Sequence, residues 1–137
     1  MQLDPAAFIA DSELIEALEK QSSAILCGAD RLLFRQGDAP AGLYILRHGV
    51  VTLSMTGPAG EEVMSLEAPA GSLLGLPGLI GNEPYTLSAI ARKDAELRFV
   101  AREDFTGLMK AAPLLALKVL QVLAAEVRSA RQAIRGM

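Results

Sequence analysis

The chain has 137 residues, 51% of them hydrophobic and 21% charged, with a net charge of −3. That apolar content excludes a disordered chain, and the length suits a single domain (1–137) whose core needs no disulfide or metal staple. The acidic balance argues against a general nucleic-acid binder. Charge is uneven: residues 1–30 carry six acids and one base, whereas residues 118–137 carry four bases and one acid. The basic residues there (Lys118, Arg128, Arg131, Arg135) are sparse and read as a solvated helix face.

Residues 1–21 are predicted to be helical, over 4–20. Asp4 caps a start with Pro5 at the first helical position, and Ser12 offers a second start. Leu14, Ile15 and Leu18 lie at helical spacing and face inward, with Glu13, Glu16, Glu19 and Lys20 outside. The N-terminus lacks the basic start and apolar stretch of a secretory signal. The most apolar segment, Ala111 to Val127, is interrupted by Pro113, Lys118, Gln121 and Glu126. It falls short of the roughly 20-residue apolar run of a membrane helix. A soluble, cytoplasmic protein with no membrane partner is expected.

From 22 to 100 the pattern changes to short apolar runs punctuated by Gly and Pro every 8–12 residues or so, the mark of a sandwich or barrel. Strands are predicted at 23–27, 31–35, 42–47, 50–55, 62–66, 72–75, 85–91 and 95–100. The run Thr56-Gly57-Pro58-Ala59-Gly60 predicts a hairpin turn. In the last strand Leu97 and Phe99 alternate with Glu96 and Arg98, which gives one buried and one wet face. Eight short strands suggest a jelly roll, a double-stranded β-helix. The single cysteine, Cys27, sits in an apolar run and reads as a buried small hydrophobe.

Residues 101–137 are predicted to be helical again. A short helix over 101–110 turns Phe105, Leu108 and Met109 inward. A long one runs from Pro113 to about Arg135. Along it Ala116, Leu120, Leu123, Val127, Ala130 and Ile134 recur at steps of 4, 3, 4, 3 and 4, a heptad seam suited to a second copy. A second stripe, Leu115, Val119 and Val122, ends at Glu126 and is expected to pack on the barrel. A homodimer through the seam is the expected assembly.

Three segments together resemble the cyclic-nucleotide-binding domain family, specifically the sensor half of catabolite-activator and fumarate–nitrate-regulator transcription factors. The first is Phe34 to Val51, which is similar to the family's strand–Gly-Asp turn–strand–Gly turn–strand passage, with tight reversals at Gly37 and Gly49. The second is Gly71 to Leu79, where the family places its phosphate-binding cassette. The third is the short helix followed by the long one. The resemblance implies a mainly β barrel with flanking helices, a regulatory role without catalysis, and an effector pocket at Leu74, Gly75, Leu76, Gly78, Leu79, Tyr85 and Thr86.

Two departures bear on the ligand. Nucleotide-binding members place a Glu after the cassette glycine for the ribose hydroxyl, and here Leu76 follows Gly75. They place an Arg before a Ser or Thr for the cyclic phosphate, and here Tyr85 precedes Thr86. A buried phosphate without a cation is strongly disfavoured, although Thr86 and backbone N–H groups near Pro77-Gly78 offer an anion some donors. Tight binding of cyclic AMP or cyclic GMP is therefore not expected. The cassette is closer to the fumarate–nitrate-regulator branch, but the cysteines of an iron–sulfur sensor are not there. The effector is open and no cofactor is assigned.

A metal enzyme of the cupin type needs two or three His, and the chain has only His48, which reads as an exposed turn residue. No nucleophile motif of the Gly-x-Ser-x-Gly kind occurs. The sequence stops where the family's hinge would begin, so direct DNA reading by this chain is not expected. The alternative to a sensor is a ligand-free dimerisation protein that modulates full-length regulators.

Overall fold

The computed structural model describes residues 2–136. Eight strands run in chain order: β1 (Ser23–Leu26), β2 (Arg31–Phe34), β3 (Gly42–His48), β4 (Val51–Thr56), β5 (Glu62–Ala68), β6 (Leu73–Leu74), β7 (Ser88–Ala91) and β8 (Glu96–Ala101). They form two four-stranded antiparallel sheets, ordered β1-β8-β3-β6 and β2-β7-β4-β5. Apart from β4 and β5, the neighbours in each sheet are distant in sequence, which is the jelly-roll winding expected. The hairpin is also present: β4 pairs with β5, and the Gly57 N–H donates to the Glu61 carbonyl at 2.8 Å to close the turn.

The side-chain alternation of the strands builds two cores. In β3, Leu46 points into the barrel with Phe34, Leu53, Leu74, Ala89 and Leu97. Leu43 and Ile45, on the opposite face, join a second core against the helices. This corrects the wet outer face expected for β8: Val100 is fully buried there, among Leu14, Leu18, Phe105 and Val119. Arg98 stays half-buried because its guanidinium reaches the Ser22 hydroxyl and carbonyl. A strand covered on both faces follows from helices packing on one side of its sheet.

The N-terminal helix is not continuous. A 3-10 turn, Pro5–Phe8, is capped by Asp4, and α1 begins separately as Ser12–Glu19. Between them Ile9 makes a β-bridge to Ser72, which breaks the helical hydrogen-bond ladder. The cap of α1 is Asp11, not Ser12: the Asp11 carboxylate accepts from the Glu13 N–H. Leu14, Ile15 and Leu18 are buried as expected, as is Cys27.

A short helix that the sequence reading did not foresee, α2 (Leu76–Gly81), follows β6. Then come α3 (Arg102–Ala111) and α4 (Pro113–Arg135), with a bend of 119° between them. No single helix among the described residues is long and apolar enough to cross a membrane. The Lys118 ammonium bridges to Asp11 and, at 3.7 Å, to Glu13, joining α4 to α1. Those groups are solvent-exposed, and the hydrogen bond from Lys118 holds the Asp11 carboxyl below its usual range.

The inner stripe of α4 runs further than expected. Leu115, Val119 and Val122 are buried, and the same spacing continues through Glu126 to Ser129 and Ala133, both buried. The helix packs on the 3-10 turn, α1 and α3, and the Ser129 hydroxyl accepts from the Asp4 N–H at 2.6 Å. The expected end of the stripe at Glu126 is thus a correction: the helical period places that carboxyl inside.

The outer seam faces solvent. Leu120, Val127 and Ile134 are 56%, 50% and 61% exposed, and Ala116, Leu123 and Ala130 are half-buried beside them.

Candidate functional site

A cavity of about 220 Å³ lies between β6–α2, the loop before β7, and the second half of α4. Phe34 of β2 with Leu53 and Met55 of β4 form its base, Leu3 and Phe8 of the N-terminal segment one side, and Glu126, Val127, Ser129 and Ala130 of α4 another. Five of the residues singled out from the sequence line it: Leu74, Gly75, Gly78, Tyr85 and Thr86. Val127 and Ala130, singled out for the seam, line it too.

Leu76 and Leu79 do not. They are buried in the second core, against Leu14, Leu43 and Phe105. The cause is α2. Gly75, at φ +91°, sits in the left-handed region and turns the chain into a helix begun by Leu76-Pro77. Each helical residue then rotates by about 100°, so Leu76 and Leu79, three apart, share the face away from the cavity. Leu76, where the family resemblance would place a ribose-binding Glu, is here part of the hydrophobic core.

The strand expected to start at residue 85 starts at Ser88 instead. Residues 85–87 are held off the sheet because the Tyr85 backbone is bonded to the β2–β3 turn. Its N–H donates to the Asp38 carbonyl at 2.9 Å, and its carbonyl accepts from Gly37 at 2.8 Å. The Tyr85 hydroxyl donates to the Gly42 carbonyl at 2.7 Å and accepts from the Ala41 and Gly42 N–H groups at 3.2 and 3.4 Å. Its ring stacks on Phe34, with centroids 4.1 Å apart. Where the family resemblance would place a phosphate-binding Arg, this chain has an aromatic wall. A Cβ on Gly75 would lie 2.9 Å from the Tyr85 ring, so the glycine and the tyrosine fit as a pair. Tyr85→Phe is expected to lower stability by about 1–3 kcal/mol, because it leaves the buried Gly42 carbonyl without that donor. Urea denaturation monitored by circular dichroism measures it.

No Lys, Arg or His stands among the described residues lining the cavity. The charged candidate is acidic. Glu126 has a buried Oε2 with no hydrogen-bond partner among the described residues, and burial pushes its carboxyl up to about 8. The sequence reading treated Glu126 as an interruption of the apolar stripe. Its spacing of four from Val122 and three from Ser129 was the signal that it faces inward. His48 is exposed, and no cluster of metal-ligating side chains occurs among the described residues.

The chain belongs to the cyclic nucleotide-binding domain family, whose model matches residues 27–112. It is 35% identical over 99 residues to the cyclic AMP receptor protein of Thermus thermophilus, covering 72% of this chain and 45% of that protein. It is 26% identical over 125 residues to the transcriptional activator protein anr of Pseudomonas aeruginosa, covering 90% and 50%. The crystal structure of the Thermus thermophilus catabolite activator protein superposes with a TM-score of 0.79 at 28% identity, over 96% of this chain and 62% of that one. The chain thus spans about half the length of these curated relatives.

Proposed function

We propose that this chain is a non-enzymatic, ligand-sensing module of a cytoplasmic regulator, which works as a homodimer through α4. One observation carries the reading: Val127 and Ala130 belong both to the cavity wall and to the exposed heptad seam. A molecule entering the cavity presses on the same turn of helix that a second copy would grip. Differential contact with two positions of that turn would couple occupancy to dimer geometry.

The effector in this reading is not a cyclic nucleotide. The cavity keeps the glycines and the turn of a phosphate cassette but has an aromatic ring in place of the cation and a leucine turned away in place of the ribose ligand. Membership of the family supports the regulatory role, and the lining residues argue the change of ligand.

Native mass spectrometry of the purified protein tests this function. A dimer with a retained small molecule is the expected result. A monomer would overturn the assembly, and a dimer with no retained mass would point to an interaction role exerted through α4 alone.

A further inference from the structure

We propose that the cavity takes a small apolar molecule bearing a protonated amine, whose ammonium pairs with the Glu126 carboxylate against the rings of Phe34 and Tyr85. This rests on the reading of the cavity as the effector site. The walls supply the argument. Glu126 is the one acidic group there, and no cation among the described residues neutralises it. The other polar groups are largely engaged: the Ser129 hydroxyl accepts from the Asp4 N–H, and the Tyr85 hydroxyl is bonded to Gly42 and Ala41. An unpaired buried carboxyl is costly, and a ligand that brings its own cation removes the cost.

The rest of the lining suits the body of such a ligand. Phe8, Phe34 and Tyr85 present aromatic surface, which attracts ammonium groups through the ring quadrupole. Leu53, Met55 and Leu74 surround an apolar portion. The cavity, at about 220 Å³, is smaller than drug-sized pockets and sets a tight limit on length.

Proton balance gives a signature. In the empty cavity the Glu126 carboxyl is protonated at neutral pH, because burial raises it to about 8. On entry of an ammonium the carboxyl ionises, one proton leaves to solvent, and the ion pair forms. Glu126 and Tyr85 are the titratable side chains on the walls, and the Tyr85 hydroxyl is fixed on backbone groups. Affinity should therefore rise with pH from neutrality to about 8, level off once the carboxyl is already ionised, and fall when the amine itself deprotonates.

Phenethylamine, phenethyl alcohol and hydrocinnamate differ mainly in the head group and serve as probes. Each is titrated calorimetrically, together with cyclic AMP, into the wild-type protein and the Glu126→Gln variant, at about pH 7 and about pH 9. The amine should bind at least about tenfold more tightly than the alcohol or the acid. That advantage should grow at the higher pH and disappear in Glu126→Gln, whose fold is checked by circular dichroism. Equal or better binding of the alcohol or the acid overturns the amine class while leaving the cavity as an effector site. Binding of cyclic AMP in preference to all three overturns it as well, together with the changed-ligand reading. If no probe and no cyclic AMP enters, the amine class and the effector-site reading both fail.

Discussion

Glu126→Leu should raise the stability of the ligand-free protein, by roughly 3–4 kcal/mol near neutral pH and by somewhat more toward pH 8. The carboxyl carries a buried oxygen with no partner among the described residues, and its neighbours on the cavity wall are mostly apolar. The pH dependence has a definite sign. The folded-state value is about 8, above the ordinary 4.5, so between those values the folded chain holds a proton that the unfolded chain has released. Wild-type stability from this group therefore falls as pH rises from about 4.5, by up to about 1.4 kcal/mol per unit, and levels off above about 8. The leucine variant lacks that slope. Thermal melts of both proteins across this range measure the difference, and a gap that narrows with rising pH would contradict a buried, unpaired Glu126. Such a carboxyl is an unfavourable feature of the empty fold, which is what makes it informative about an occupant.

Leu120→Glu combined with Ile134→Glu should convert the proposed dimer to a monomer, weakening association by on the order of a hundredfold or more. Both side chains are largely exposed in the single chain, and neither lines the cavity, so the barrel should fold unchanged. Charge placed in an apolar heptad seam would have to be desolvated against a like charge on the second copy, a cost that the wild-type leucine and isoleucine do not carry. Sedimentation velocity reads the mass, and circular dichroism confirms the fold. A variant that remains dimeric would move the interface elsewhere. Leu123 belongs to the same seam but is half-buried against the second core, so its replacement would confuse packing with assembly.

Much of the architecture is written in local patterns. Turn residues at short intervals mark most of the strands because most reversals use a glycine or proline, the β7–β8 turn with Asp94 at φ +67° being an exception, and the two longer helices show the 3.6 period over enough residues to be unambiguous. Two classes of feature are not local. The covering of β8 on both faces depends on where the helices dock, so the charged pair Glu96 and Arg98 suggested water where Val100 finds a core. The helix α2 is six residues long and contains Pro77, Gly78 and Gly81, a composition that reads as a turn. Only the left-handed Gly75 and the packing of Leu76 and Leu79 make it helical, and that rotation removes two expected residues from the site.

The cavity was legible in part for the same reason. The cassette residues Gly75, Gly78, Tyr85 and Thr86 are close in sequence and could be found from their order. Phe34, Leu53 and Met55 come from strands far away in the chain, and Leu3 and Phe8 from the N-terminus; nothing in their own neighbourhoods marks them. Glu126 looked like the end of an apolar stripe because chemistry was weighed above period. The period was the better guide, since a carboxyl near a ligand site is placed by the helix and not by its own preference for water.

The cassette has the left-handed Gly75 turn but no cation among the described residues that line the cavity. The decisive experiment is calorimetric titration of cyclic AMP into the wild-type protein. No saturable heat is expected in the micromolar range, because Tyr85 and Leu76 stand where the anion and the ribose would be held and no cation lines the cavity among the described residues. A saturable micromolar isotherm would contradict that reading.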